Sequence, residues 1–261
     1  MTAGLALQSA LATGVGVAGI GEETAGILLA EGDDIIARRA SLIELLPAEA
    51  QARVKAHGRQ QILAPGDHLF RQGDPHDGIA IIETGMIRSF YAAPSGREIT
   101  LAYWLPGNFV GGPDVFVGGV HMWSAIAAKA STVTWLPGAG LRELARDVPD
   151  LALGIIDALV FKARCYSSLA QMLGTRSLKQ RLAHVLLHLA QTYGFEESDE
   201  GAGILVAAAF THAEIANLIG ATRQWVTISL NRLQAAGILT QRRGLLVIKR
   251  IDLLSATLSS E

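Results

Sequence analysis

The sequence predicts an α+β protein that combines an antiparallel β-roll or jelly-roll domain, one long helix and a C-terminal winged helix-turn-helix. Three observations carry this prediction. Glycines recur every eleven or twelve residues from Gly73 to Gly107, between short β-rich apolar runs. Apolar residues then follow a helical period from 149 to 174. The stretch from Phe210 to Arg250 contains the signals of two capped helices and a hairpin.

The composition sets the protein class. Half of the 261 residues are hydrophobic, which suffices for two domains with their own cores. The single cysteine, Cys165, excludes an intrachain disulfide, a four-cysteine iron–sulfur cluster and a cysteine-based zinc site, and it fits a cytoplasmic location. The N-terminus lacks the basic region of a signal peptide, and charges interrupt the apolar run from Leu151. No membrane span is therefore predicted.

Positive charge is concentrated near the C-terminus, although the formal net charge is -2. Residues 176–261 hold nine Lys and Arg against seven Asp and Glu, and four of those acids lie between Glu196 and Glu200. Without this acidic loop, the C-terminal region contains nine basic and three acidic residues. Such an excess of positive charge is typical of nucleic-acid-binding surfaces.

Residues 1–40 are predicted to be an N-terminal extension, because their glycines weaken any helix. Two interpretations are open, a lid or subunit contact and a poorly ordered tail. From Ser41 an amphipathic helix is expected, with Leu46 and Val54 toward a core.

A long helix is predicted after a break at Pro149. Its apolar positions recur near a 3.5-residue period, which is typical of a helix that pairs with a second copy. A small barrel cannot cover such a helix alone, so a homodimer is expected; the alternative is a spine within one chain. The residues predicted to form the dimer interface are Ile155, Leu159, Tyr166, Leu169 and Leu173.

The stretch from Phe210 predicts a helix-turn-helix followed by a basic hairpin. Thr211 and Glu214 have the spacing of a capping box, Gly220 supplies a left-handed residue, and Thr222 caps a second helix. The apolar residues of that helix share one face, which leaves polar side chains for base edges in the major groove.

The polar side chains suit base recognition. Arg223 matches the paired acceptors of guanine and Gln224 the edge of adenine, while the basic hairpin is expected on phosphates. The predicted DNA-binding residues are Thr222, Arg223, Gln224, Thr227, Ser229, Arg242 and Arg243. The alternative is a helical hairpin that packs on a partner protein.

This order of elements resembles the CRP/FNR family of bacterial transcription regulators over about residues 41–255. The resemblance is carried by Pro65-Gly66, Arg71-Gln72-Gly73-Asp74, Gly85, Gly107-Asn108-Phe109-Val110-Gly111, Arg181-Leu182-Ala183 and Thr211 to Leu239. It implies a homodimer whose barrel (41–140) senses a small molecule, whose long helix (141–175) transmits that state, and whose C-terminal domain (176–261) binds palindromic double-stranded DNA. It also implies recruitment of RNA polymerase, commonly as an activator.

The residues that bind cyclic AMP in this family have no counterpart here. In those members a Glu follows the glycine turn and binds the ribose, and an Arg ahead of a Ser/Thr-Ala pair binds the phosphate. Here the positions fall on Gly112 and on Trp123 or Met122. A buried phosphate without a guanidinium loses its charge-assisted hydrogen bonds, so cyclic AMP is not expected as the effector.

An apolar effector is expected instead, because aromatic side chains are frequent in this region. The predicted effector-binding residues are Tyr103, Trp104, Phe116, Met122, Trp123 and Ser124. Alternatively these rings fill the barrel core. No cofactor or metal is predicted. A haem would need a ligand such as His121 or Met122, and Cys165 is either a redox switch or a small core residue.

The sequence therefore predicts a dimeric, cytoplasmic DNA-binding transcription regulator controlled by a small molecule, with no membrane contact. No nucleophile motif, carboxylate pair, phosphate loop or metal spacing indicates an enzyme. Two alternatives stay open: a ligand-binding regulatory subunit that acts through a protein partner, and a haem- or redox-sensing member of the same family.

Overall fold

The computed structural model describes residues 46–116, 118–196 and 203–259. Three predicted segments lie outside these ranges: the N-terminal extension at 1–40, the start of the first helix at 41–45, and the acidic loop beyond Glu196. The described chain divides into two compact units, one ending at Gln171 and one beginning at Met172. None of the helices in the described ranges is long and apolar enough to cross a bilayer.

The first unit is an antiparallel β-roll flanked by helices, as predicted. Its helices are α1 (Ala48–His57), α2 (Gly138–Asp147) and α3 (Pro149–Thr175), the last turn of which belongs to the second unit. Its strands are β1 (Arg59–Leu63), β2 (His68–Phe70), β3 (Pro75–His76), β4 (Gly78–Thr84), β5 (Ile87–Ala92), β6 (Glu98–Trp104), β7 (Phe109–Val110), β8 (Gly119–Val120), β9 (Ser124–Ala127) and β10 (Ser131–Pro137). They form sheets in the order β1-β10-β4-β7 and β2-β9-β5-β6, and β3 pairs with β8.

Strand β4 has both faces buried. Ile79 and Ile81 join a core cluster that also contains Val54 of α1, whereas Ala80 and Ile82 join a second cluster between the sheets. Because successive side chains of a strand point to opposite faces, a strand covered on both sides is apolar throughout. Burial of both faces explains why the residues of β4 form a continuous apolar run in the sequence.

The glycine spacing marks the turns of the roll. Gly73, Gly85, Gly96 and Gly107 have φ of 90, 87, 79 and 89°. At Gly85 a Cβ atom would also lie 2.2 Å from the Ala130 carbonyl oxygen. Glycine adopts positive φ readily and has no Cβ atom, so it suits both the turn conformation and the close backbone approach. One such turn follows each strand, which explains the regular spacing of the glycines.

Helix α3 packs one of its faces on the roll. Leu151, Ile155 and Ala158 belong to the same cluster as Leu141 of α2. Farther along the helix, Tyr166 packs on the cluster between the sheets. The roll therefore covers one side of the long helix.

The second unit is a winged helix. It contains α4 (Leu178–Tyr193), β11 (Gly194–Glu196), β12 (Ile204–Val206), α5 (His212–Ile219), α6 (Arg223–Ala235), β13 (Leu239–Arg242), β14 (Leu245–Ile248) and α7 (Ile251–Ser259). The sheet order is β11-β12-β14-β13. Helix α4 begins with a capping box of Ser177 and Gln180 and buries Leu182, Leu186 and Leu189.

The Arg181 guanidinium binds the carbonyl ends of two helices in this unit. Its Nε donates to the Arg176 carbonyl at 2.9 Å and its Nη1 to the Ile219 carbonyl at 3.1 Å, and Nη2 donates to the Leu173 carbonyl. Carbonyl groups at a helix C-terminus lack partners within the helix, so a cation there is favourable.

Lys162 on α3 is buried in the first unit, and no ion pair within the described ranges reaches it. Its side chain is 5% exposed, and its Nζ lies 3.4 Å from the Trp104 ring centroid and 4.7 Å from that of Phe109. Removal of the amine from water lowers the pKa of Lys162 to about 7, and Cys165 acts weakly in the opposite direction.

This burial predicts a pH dependence of stability between pH 7 and 9. Below pH 7 both folded and unfolded chains hold the Lys162 proton, whereas above it only the unfolded chain does, so the free energy of unfolding rises with pH. The rise is expected to be up to about 2–3 kcal/mol over this window. It should be absent from Lys162→Met, as measured by urea unfolding at pH 7, 8 and 9.

Exposed Lys55 on α1 provides the matched control, because Lys55→Met removes the same charge without touching the core. This variant should keep the wild-type rise. The window ends at pH 9 because burial raises the pKa of the Cys165 thiol from 9.0 to about 11, which lowers stability at higher pH. An equal rise in Lys162→Met and wild type would contradict the assignment to Lys162.

Candidate DNA-binding surface and effector site

Local capping positions the two helices of the helix-turn-helix. The Thr211 hydroxyl accepts from the Glu214 amide at 3.1 Å, and the Glu214 carboxylate accepts from the Thr211 amide at 2.7 Å. Gly220 has φ 66° and ψ 35°, and the Thr222 hydroxyl accepts from the Trp225 amide at 3.1 Å. The signals read from the sequence therefore do form the helix ends.

The first turn of α6 exposes the side chains predicted to read bases. Thr222, Arg223 and Gln224 are exposed, whereas Val226 and Leu230 are buried. The N-terminal end of a helix also carries unpaired backbone amides and a partial positive charge, which favour a nearby phosphate. This end of α6 thus combines exposed side chains that are predicted to read bases with a helix terminus that favours anions.

Strands β13 and β14 form a wing with a tight basic turn. Arg243 has φ 52° and Gly244 φ 82°, the pair of positive angles that a type I′ hairpin requires. Arg242 and Arg243 are exposed at this turn. The turn thus presents two guanidinium groups to solvent.

Two of the predicted DNA-binding residues are less accessible than the sequence suggested. The Thr227 hydroxyl donates to the Arg223 carbonyl at 3.0 Å and contacts His212 Nδ1 at 2.8 Å. Ser229 is half-buried because it lies three residues after Val226, next to the packed face. Ile228, between them, is 43% exposed.

His212 connects three elements of the winged helix. Because the Thr227 hydroxyl gives its one proton to the Arg223 carbonyl, His212 Nδ1–H is the donor in the contact with Thr227. Nε2 is then an acceptor, and it lies 3.4 Å from Gln241 Nε2 on β13. No local sequence signal marks His212, because its partners are fifteen and twenty-nine residues away in the chain.

An aromatic cluster, consisting of Trp104, Trp123, Phe161 and Tyr166, forms where α3 packs on the roll. The Tyr166 ring lies edge-on to Trp104 at 6.2 Å and to Trp123 at 5.7 Å between centroids. Phe161 lies edge-on to Trp104 at 6.5 Å. The Lys162 amine described above contacts the face of Trp104. Trp123 is half-buried, so the cluster reaches the surface.

The structure separates the six residues predicted to bind an effector. Trp104 and Trp123 belong to the aromatic cluster. Phe116 packs instead against the other core cluster, beneath the Arg142 guanidinium, and Met122 is 58% exposed. Phe116 therefore packs in a different core cluster from the two tryptophans, and Met122 lies at the surface.

The other two predicted effector residues also have separate positions. Tyr103 is buried but precedes Trp104 on β6, and neighbouring side chains of a strand point to opposite faces. The Ser124 hydroxyl accepts from the Gln72 amide at 3.0 Å. Tyr166, predicted from the sequence to lie in a dimer interface, and Lys162, which no sequence motif marks, both lie at the cluster.

A histidine accepts a hydrogen bond from the segment where the family resemblance places the phosphate site of cyclic AMP-binding members. The Gly112 amide donates to His76 Nε2 at 2.8 Å. The His76 ring lies 4.4 Å from that of His121, which stacks on Phe70 at 3.6 Å. Burial, and next the neighbouring His76, lower the pKa of His121 to about 4. Both rings are packing elements of the roll.

Of the side chains considered for haem or redox sensing, His121 and Cys165 are packed, whereas Met122 is exposed. The described ranges contain no group of three or more His, Cys, Asp and Glu that could hold a metal ion. Cys165 is 4% exposed, and burial raises the pKa of its thiol to about 11. A thiolate is the reactive form, so this environment disfavours a redox switch.

The residues predicted to form a dimer interface are buried or half-buried within their own chain. Ile155 is 2% exposed in the core cluster, Leu159 packs against that cluster, and Leu169 is 5% exposed. Tyr166 belongs to the aromatic cluster, and the carbonyl of half-buried Leu173 binds Arg181. Ile155 and Leu169 are thus buried and the other three half-buried, so none of the five predicted positions lies on the exposed face of α3.

The opposite face of α3 carries the apolar side chains that remain exposed. Leu153, Ile156 and Val160 are 60%, 54% and 48% exposed. The alternating spacing of three and four residues continues through exposed positions at Ala163, Ser167, Ala170 and Gly174. This outer seam, defined by those seven residues, has the seven-residue repeat of a paired helix.

Comparison with known proteins matches both units. The model of the cyclic nucleotide-binding domain matches residues 60–147, and that of the Crp-like helix-turn-helix domain matches 180–257. A CRP-like cAMP-activated global transcriptional regulator of Mycobacterium tuberculosis is 30% identical over 200 residues, which cover 76% of this chain and 87% of the relative.

Two further matches, a curated relative and a solved structure, are less similar in sequence. The fumarate and nitrate reduction regulatory protein of Salmonella typhimurium is 24% identical over 201 residues, covering 76% of this chain and 78% of the relative. The solved structure of the c-di-GMP responsive global regulator CLP of Xanthomonas campestris has a TM-score of 0.69 and 21% identity, covering 77% of this chain and 99% of that chain. These curated relatives are regulators rather than enzymes. The chain therefore belongs to the CRP/FNR family of transcription regulators, with an effector domain of the cyclic nucleotide-binding type followed by a DNA-binding helix-turn-helix domain.

Proposed function

We propose that the protein is a homodimeric, sequence-specific transcription activator that recruits RNA polymerase and is controlled by a small molecule other than cyclic AMP. The observation that carries the DNA-binding part is the exposure of Arg223 and Gln224 in the first turn of α6, next to a helix terminus that favours phosphates. Arg242 and Arg243 on the wing supply the charge for phosphate contacts.

The effector part of the proposal is supported at the aromatic cluster. Gly112 has no carboxylate for a ribose, and its amide already has a partner in His76. Neither Met122 nor Trp123 offers a guanidinium for a phosphate. The aromatic rings provide an apolar surface that partly reaches solvent at Trp123. A ligand with an apolar body suits this cluster better than a cyclic nucleotide.

The outer seam is the proposed dimer interface, in place of the residues first predicted. A second copy of α3 would cover Leu153, Ile156 and Val160, which are otherwise exposed. Small residues from Ala163 to Gly174 allow two such helices to approach closely. A two-fold dimer would present two copies of α6, which is why a palindromic operator is expected.

Substitution of base-reading and phosphate-binding arginines should have distinct effects on DNA binding. Arg223→Ala is expected to relax sequence preference by about 1–3 kcal/mol at one base pair of each half-site. Arg242→Gln should weaken binding to all duplexes and reduce the slope of log K against log salt by about one per subunit. Fluorescence anisotropy on an operator selected from random duplexes measures both.

The control is Arg59→Gln, which removes an exposed charge from β1 in the first unit. It should leave affinity and salt slope unchanged. If wild-type protein binds no duplex in a salt-dependent manner, the C-terminal unit docks on a protein partner and the proposed function is wrong.

The His212 contacts predict a positioning role in DNA binding. His212→Leu removes the donor to Thr227 and the acceptor for Gln241, so it should weaken operator binding by about 1–2 kcal/mol and broaden sequence preference near Thr227. His212→Gln can replace both contacts and should retain most of the affinity. Equal losses in the two variants, with sequence preference unchanged, would indicate a purely steric role.

The outer seam predicts the effect of a charge at the dimer interface. Val160→Glu places two carboxylates opposite each other in the paired helices, so the dimer should dissociate and operator affinity should fall at least about tenfold. Ile62→Glu is the matched control, because Ile62 is 80% exposed on β1, away from α3. Light scattering coupled to size exclusion gives the subunit number; a dimeric Val160→Glu would refute the outer seam.

A further inference from the structure

Lys162 is the charged group of the aromatic cluster. It is 5% exposed, and its amine faces two rings, Trp104 at 3.4 Å and Phe109 at 4.7 Å. Within the described ranges, no carboxylate forms an ion pair with it. Among the described residues of this unit, Arg88 is the other buried lysine or arginine, and it pairs with Glu98. Lys162 thus differs from Arg88 in lacking a counter-ion.

Ring faces compensate only part of the cost of this burial. Cation–π attraction is weaker than the loss of water around an unpaired ammonium group. Consistent with this deficit, burial lowers the pKa of Lys162 to about 7. The amine is therefore partly charged at neutral pH and would gain from a negatively charged partner.

The neighbouring titratable groups cannot supply that negative charge. On the same helix, burial raises the pKa of Cys165 to about 11 and that of Tyr166 still further. From the roll, the groups that face Lys162 are the uncharged rings of Trp104 and Phe109. A counter-ion must come from outside this cluster.

We propose that the effector is an amphipathic organic acid, whose acid group pairs with Lys162 and whose apolar body packs against Trp104, Trp123 and Tyr166. This inference rests on the proposed function, since it names the ligand class of the same effector site. It places recognition of the anion on α3, not on the segment around Gly112 to Trp123. A neutral ligand of equal shape would leave the ammonium without a partner, so charge is the selective feature.

The test uses full-length dimeric protein and matched pairs of probes. Phenylacetate and 1-naphthaleneacetate are compared with their amides, with phenyl phosphate to distinguish a carboxylate from a phosphate, and with cyclic AMP. Titration calorimetry at pH 8 in two buffers of different ionisation enthalpy gives affinity and proton uptake. We expect a carboxylate or phosphate probe to bind at least about tenfold more tightly than an uncharged amide of the same shape.

Proton uptake identifies the group that pairs with the acid. At pH 8 the amine of Lys162 is mostly neutral, and a bound anion raises its pKa, so binding should take up close to one proton. Lys162→Met should reduce affinity for the acids at least about tenfold and abolish the uptake, whereas Lys162→Arg and the exposed-charge control Lys55→Met should keep the affinity.

Three results would overturn this inference: binding of acids and amides with equal affinity, wild-type affinity and proton uptake in Lys162→Met, or no binding of any acid probe. DNA binding by the same preparations separates this failure from that of the proposed function. If the protein binds an operator in a salt-dependent manner but binds no acid, the proposed ligand class is wrong and the proposed DNA-binding function stands. Tight binding of cyclic AMP would instead contradict the proposed exclusion of that nucleotide.

Discussion

The packing of α3 on the β-roll determines what each side of this helix can do. Leu151, Ile155 and Ala158 bury one face against the roll and α2. Since a helix has a limited circumference, burial of that face turns Leu153 and Ile156 toward solvent. The same helix also carries Lys162 onto Trp104. The candidate effector site and the proposed dimer seam are therefore two faces of one rigid element.

This arrangement offers a direct physical link between ligand and assembly. In the proposed dimer, a ligand that pairs with Lys162 would act on α3 itself, and a shift or rotation of α3 would alter how the two outer seams meet. Packed interfaces respond to such shifts by adopting discrete arrangements. Trp104 has a fixed orientation in the aromatic cluster, because its Nε1 donates a hydrogen bond to the Ser89 hydroxyl at 2.9 Å.

The winged helix is organised by side chains that bind helix ends and neighbouring elements. Thr211, Glu214 and Thr222 set the starts of α5 and α6, and Arg181 binds the carbonyl end of α5 at Ile219. His212 then relates α5 to α6 and the wing. In a unit with a small core, such contacts define the relative positions of the surfaces that would meet DNA.

Signals that act over a few residues were readable from the sequence. Capping boxes, the left-handed Gly220 and the turn glycines of the roll depend on local backbone geometry, and they define the elements and the winged helix. Charge and exposure at Arg223 and Arg242 follow from helix and hairpin periodicity. Other features depend on which distant residues come together: the inner face of α3, the partners of His212 and the aromatic surroundings of Lys162. A period of 3.5 residues indicates that a helix has an apolar stripe, but α3 has two such stripes. Only the tertiary structure decided which one the roll covers, because that choice rests on shape complementarity between elements remote in sequence.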